Sequence, residues 1–151
     1  MTWYILPNSI TKLFVSLSML TTLSFDSEIV SYLYGGSKDE MFFELANKQK
    51  TLVMKGLKPG IKTNLMIVTK KRKYYFDVIL NKKNPHKFIE VKPGRINKSY
   101  RLVESNERYN VFEGDTSQKV TFKKSKRILF RSKIDKGQPI NSRVEIKQNV
   151  K

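Results

Sequence analysis

His86 is the only histidine in the chain, and its sequence neighbours include Lys82, Lys83, Lys87 and Glu90. A proton shuttle needs a positioned partner within hydrogen-bond reach. A lone His in a polar, lysine-rich stretch reads instead as a surface-loop residue. The absence of Cys removes disulfides, thiolate metal sites and a Cys nucleophile. It fits either a reducing cytoplasm or an oxidising periplasm. No Ser-His-Asp set, no His pair at metal-ligand spacing and no Gly-rich phosphate loop is present. Asp39-Glu40 and Glu113-x-Asp115 are acidic pairs beside turns. They read as solvated turn residues in preference to general acids or calcium ligands. No catalytic residue, cofactor or metal is therefore assigned, and the chain is not expected to be an enzyme.

The chemistry that remains is cationic. Lys70, Lys71, Arg72 and Lys73 form one cluster, with Tyr75 beside it; Lys123, Lys124, Lys126 and Arg127 form another. With Tyr74, Tyr75 and Phe130 nearby, these clusters offer a backbone-tracking groove with bases stacked on rings, as in single-strand-binding sheets. The competing reading is a pair of solvated hairpin ends that blunt edge-to-edge aggregation. No RNA- or DNA-binding signature accompanies them, so contact with an acidic partner or other polyanion is preferred to nucleic-acid binding. The whole chain carries 30 Lys+Arg against 13 Asp+Glu, a net charge of +17. Residues 1–50 are net −1, residues 51–85 net +8 and residues 86–151 net +10. A charge of this size favours acidic partners without choosing among them.

Positioning these clusters falls to short strands. Pro59 fixes φ for the second place of a type II turn, and Gly60 accepts the positive φ of the third. From Thr63 to Thr69, Leu65, Ile67 and Thr69 share one face, and Asn64, Met66 and Val68 the other. Tyr74, Phe76, Val78 and Leu80 share a face in the next run, opposite Tyr75, Asp77 and Ile79. β-branched and aromatic residues at period two mark half-buried strands. Lys70–Lys73 is then the hairpin tip, and its four cations are expected in solvent.

Upstream, Met1–Pro7 reads as an entering strand or a docking segment. Leu13–Phe25 reads as two strands, Leu13/Val15/Leu17 and then Leu20–Phe25. The alternative is the apolar core of an export signal, but a single cation precedes it and no small-x-small cleavage site follows. It is also too short and polar for a membrane span. Asp26-Ser27 turns, Ile29–Tyr34 is a strand, and Gly35-Gly36-Ser37 ends it. Met41–Leu45 is a strand or a short helical turn closed by Asn47-Lys48, and Thr51–Lys55 leads into the central hairpin. Downstream, Phe88–Val91 precedes Lys92-Pro93-Gly94, which repeats Lys58-Pro59-Gly60 and reads as the same turn chemistry reused. Tyr100–Asn106, Tyr109–Phe112, Val120–Phe122, Ile128–Arg131 and Val144–Ile146 are further strands. Gly137-Gln138-Pro139 is a break, and Gln148–Lys151 an end that frays.

The fold class expected is all-β, an antiparallel β-sandwich of short strands with a basic, looser C-terminal segment. Hydrophobic residues at 39% supply a real core. The organisation is a β-sandwich domain over residues 1–85 and a basic β-rich extension or linker over residues 86–151, with residues 10–81 folding as an independent unit.

The central hairpin also carries a resemblance. The apolar strand Thr51–Lys55, a Pro-containing turn, Thr63-Asn64-Leu65, Val68-Thr69, Arg72 and Tyr74-x-Phe76-x-Val78 resemble the N-terminal β-sandwich domain of the CagX/TrbG family. Thr21–Phe25, Ile29 and the Tyr34-Gly35-Gly36 turn extend the likeness upstream, over about half of the chain. Members of that family are periplasmic, outer-membrane-associated subunits of type IV secretion and conjugation machines. The resemblance implies a structural subunit that assembles with other core-complex subunits through sheet edges and loops, without turnover and without a membrane span. It marks Thr63, Asn64, Leu65, Thr69, Tyr74 and Phe76 as motif residues of the fold. Larger members continue into a second domain that reaches the outer membrane. That domain is not recognised here, so insertion by this chain is not expected.

Overall fold

A computed structural model describes residues 1–96, 99–134 and 139–147, the last stretch as backbone. Fourteen strands and no helix make up the described residues. In chain order they are β1 (Thr2–Ile5), β2 (Ile10–Val15), β3 (Thr21–Phe25), β4 (Ile29–Tyr34), β5 (Met41–Ala46), β6 (Thr51–Gly56) and β7 (Lys62–Thr69). There follow β8 (Lys73–Leu80), β9 (Phe88–Pro93), β10 (Arg101–Ser105), β11 (Tyr109–Glu113), β12 (Ser117–Phe122), β13 (Arg127–Ile134) and β14 (Pro139–Lys147). β2-β8-β7-β4 form a small sheet. The other ten form a large one, ordered β10-β11-β12-β13-β1-β9-β3-β6-β5, with β14 also paired to β13.

The all-β sandwich is as the alternation requires. Leu65, Ile67, Tyr74, Phe76 and Val78 of the small sheet share one buried core with Trp3, Ile5, Leu23, Leu52, Met54, Ile89 and Val91 of the large one. The two sheets hide their apolar faces against each other, which is the reason for a sandwich. A second, smaller cluster of Val111, Val120 and Leu129 holds β11, β12 and β13.

The sheets are mixed, however, and not purely antiparallel. β9 runs parallel to both β1 and β3, and β2 runs parallel to β8. Period-two alternation tells which face of a strand is buried but carries nothing about a neighbour's direction. β9 follows the central hairpin in sequence, yet it lies between β1 and β3 with ladder partners on both sides. Thr22 pairs with Phe88 on one flank, and Thr2 with Glu90 on the other.

Several local readings also change. β2 ends at Val15, and Leu17 lies beyond it, about one-third exposed. The turn there is held by Ser16, whose hydroxyl accepts from Met19 N–H at 3.1 Å and whose carbonyl accepts from Gly56 N–H at 2.9 Å. Met41–Ala46 is a strand, and Asn47, Lys48 and Gln49 close it with three consecutive positive φ values. The two Lys-Pro-Gly stretches diverge. Pro59-Gly60 makes the expected turn, with Gly60 at φ +79°. Pro93 instead ends β9 opposite Ile5, and Gly94 N–H donates to Ile5 O at 2.8 Å. A Cβ at Gly94 would stand 3.1 Å from the Ile5 carbonyl carbon and from Thr116 O, so a side chain there would crowd two backbone groups. Gly137 and Gln138 of the expected break, and Gln148–Lys151, lie outside the described residues.

Candidate partner-binding surfaces

The β7–β8 tip is wired before it is charged. Thr69 N–H donates to Arg72 O at 2.9 Å. The Thr69 hydroxyl accepts from Arg72 N–H at 3.1 Å and from Lys71 N–H at 3.3 Å. A Ser/Thr hydroxyl that satisfies the loop's own amides fixes a four-residue reversal, which explains Thr69 in the motif. The reversal presents Lys70, Lys71 and Lys73 to solvent. Lys70 pairs with Glu28 at 3.0 Å and Lys71 with Asp26 at 3.3 Å, both at the surface. Exposed pairs of this kind contribute little to stability, so the two ammonium groups stay available to a stronger acid.

Arg72 departs from the expectation that all four cations stand in solvent. It is half-buried, and its Nη1 donates to Ile5 O at 2.9 Å and Gly94 O at 3.3 Å. It ties the tip of the small sheet to the ends of β1 and β9 in the large one. A guanidinium tolerates this position because its charge is met by two backbone carbonyls.

The second cluster, Lys123, Lys124, Lys126 and Arg127, is exposed at the β12–β13 tip. The structure does not join the two clusters. They cap different sheets, and Ile5, which Arg72 touches, sits near Ser132, through whose hydroxyl Leu6 N–H is held at 2.9 Å. Ser132 and Arg127 then lie five steps apart along β13, roughly 17 Å.

The rings split as well. Tyr75 is 37% exposed, but Tyr74 (3%) and Phe130 (8%) are core side chains and cannot stack on bases. Burial drives the Tyr74 hydroxyl up to about 12. Of the remaining motif residues, Leu65 and Phe76 are buried, Thr63 half-buried and Asn64 exposed. Gly35 N–H donates to Asn64 O at 2.8 Å, and a Cβ on Gly35 would strike the Asn64 and Thr63 side chains. The Thr-Asn pair and the Gly turn are thus one packing unit.

His86 is not the surface-loop residue its neighbours suggested. Its ring stacks on Phe14 at 5.0 Å and meets the Trp3 edge at 4.8 Å, and Nδ1 accepts from Phe14 N–H at 2.9 Å. Burial holds its pKa below the ordinary value. The acidic pairs divide. Asp39 is exposed and its carboxylate is lowered by the hydrogen bond and charge of Lys58, while Glu40 accepts from the Tyr34 hydroxyl at 2.8 Å. Glu113 is not solvated: it accepts from Gln118 at 2.8 Å and pairs with the buried Lys133 at 2.5 Å. Among the described residues no group of His, Cys, Asp and Glu is placed to hold a metal ion.

One surface escaped the sequence reading. On the outer face of the small sheet, Ile10, Leu33 and Tyr75 are exposed around a groove of about 340 Å³. Leu33 sits in Ile-Val-Ser-Tyr-Leu-Tyr, where the register shift between Ile29 and Ser31 breaks the alternation. The signal was the apolar side chains at Met66 and Val68, on the face opposite Leu65 and Ile67.

Among the described residues no helix is long and apolar enough to cross a membrane. In a comparison with protein families, the CagX family model, described as a conjugal transfer protein, matches residues 3–138. The match runs well beyond the half of the chain that carried the resemblance and takes in β1 and β9–β13. A comparison with curated proteins returned no match.

Proposed function

The chain belongs to the CagX family of conjugal transfer proteins, and from that premise we propose that it is a structural subunit of a type IV secretion or conjugation core complex. It acts by protein–protein assembly, in the periplasm and in association with the outer-membrane complex, with no chemical turnover. The observation that carries this reading is the family match over residues 3–138. Two features of the chain support the mode of action. Lys70, Lys71, Lys73 and the β12–β13 tip are exposed cations at hairpin ends, suited to acidic partner surfaces. β4 and β5 end their sheets, and an edge strand supplies main-chain hydrogen bonds to an added one.

The test is pull-down from the native envelope with identification of the co-purifying proteins. Other envelope subunits of the transfer machinery are expected with the wild-type chain. Lys70, Lys71 and Lys73 reversed together to Glu should reduce their recovery while the far-UV circular dichroism stays that of a β protein. Arg72 is left in place because it serves the fold. Recovery of RNA or DNA in place of envelope proteins would refute the assembly role.

A further inference from the structure

We propose that the outer face of the four-stranded sheet is a docking site for an acidic, amphipathic segment of another protein; the inference rests on the assembly reading and names the chemistry of one partner. The register aligns four side chains straight across the sheet. Leu33 lies opposite Met66, Met66 opposite Tyr75, and Tyr75 opposite Ile10. All four point away from the core: Leu65, Ile67, Tyr74, Phe76 and Thr11, the strand neighbours of Met66, Tyr75 and Ile10, are buried, and Tyr32 and Tyr34 on either side of Leu33 pack against the core. Directly opposed residues have Cβ atoms about 5 Å apart, and four strands span about 14 Å. Leu33 is 63% exposed and Ile10 56%. Val30, also 63% exposed, falls in the register shift at the same edge strand. A contiguous exposed apolar row of this kind marks an interaction surface.

Charge selects the occupant. Lys73 precedes Tyr75 by two residues on the same face, one row to one side of the apolar stripe, with Lys12 and then Lys62 in the rows to the other. All three are exposed and make no ion pair among the described residues. Asp77 is the one acid on this face, half-buried and opposite Asn64 and Lys12. Apolar side chains set in the groove with carboxylates on its flanks would meet the row and the three cations at once. A second copy of this chain is disfavoured, because two bodies of +17 repel. A lipid surface is disfavoured by the groove itself, whose Asn64 and Asp77 offer hydrogen-bond partners suited to a peptide backbone.

The test uses the full chain in its native cells, with a benzophenone photo-crosslinker in place of Tyr75. Irradiation should join it to a segment of a different protein in which apolar residues are interspersed with Asp and Glu, located by mass spectrometry. Leu33→Glu should lower the crosslink yield at least tenfold, and Lys62→Glu should lower it as well, each with an unchanged melting curve. Crosslinking to a second copy, to lipid, or at no more than the yield of the same probe at the exposed Ser125 would overturn the proposal. If envelope subunits still co-purify in that event, the face is wrong and the assembly reading stands; if none co-purifies, both fall.

Discussion

Arg72 donates its guanidinium to the Ile5 carbonyl at 2.9 Å across 67 residues of sequence. The same carbonyl accepts Gly94 N–H at 2.8 Å, so one oxygen gathers the hairpin tip, the first strand and the end of β9. A residue that reads as one of four tip cations is instead a tie between the two sheets.

Removing that tie should be costly in a way that removing its neighbour is not. Arg72→Ala leaves two backbone carbonyls short of a charged donor, and hydrogen bonds to charged groups contribute about 1.5–3 kcal/mol. Lys71→Ala breaks only an exposed pair and should change stability by less than about 0.5 kcal/mol. Urea melts of the two variants with equal m-values measure the contrast; equal losses would remove Arg72 from its bridging role.

Phe76 is fully buried between the sheets, and Phe76→Ala should destabilise by about 3–5 kcal/mol. Tyr75, on the opposite face of the same strand, should tolerate Ser with a loss of about 1 kcal/mol or less. Chemical denaturation of both variants decides whether the two faces are assigned correctly.

His86 makes stability depend on pH in a known direction. Its folded pKa lies below the ordinary value because burial penalises the charged ring. The unfolded chain therefore takes up a proton first as pH falls. The contribution is fully present above the unfolded pKa, about 6.5, and is lost as pH drops through it toward the folded value. Protonation of Nδ1 would also remove the acceptor for Phe14 N–H. Thermal melts between pH 7.5 and 5.5 should show a falling Tm for the wild type and a flatter profile for His86→Gln, since no other histidine is present.

The division of the chain at residue 85 is open to a direct test. β9 supplies ladder partners to β1 and β3, and Ile89 and Val91 are fully buried in the shared core. A fragment of residues 1–85 lacks that strand. It is expected to show no cooperative unfolding transition by circular dichroism, while the full chain melts in one. A sharp transition in the fragment would establish residues 1–85 as a domain in its own right.

The sequence by itself determined the faces. Leu65 and Ile67 in one run, and Tyr74, Phe76 and Val78 in the next, recur at every second position, and a strand's side-chain period is two whatever it pairs with. Turns whose geometry is local were equally legible: Pro59-Gly60 needs one fixed φ and one positive φ, and both are properties of the residues themselves. Tertiary structure decided everything that depends on which strand lies beside which. The same Lys-Pro-Gly letters make a turn at residue 58 and a strand end at residue 92, because only Pro93 has Ile5 beside it. Arg72 is a tip cation until β1 and β9 bring their carbonyls under it. His86 is a loop residue until Phe14, 72 positions earlier, offers its amide. Ile10 and Leu33 are unremarkable in sequence and become one row only through Tyr75 and Met66. Alternation is written in steric rules between adjacent residues, whereas pairing is chosen by the burial that the packed strands achieve together.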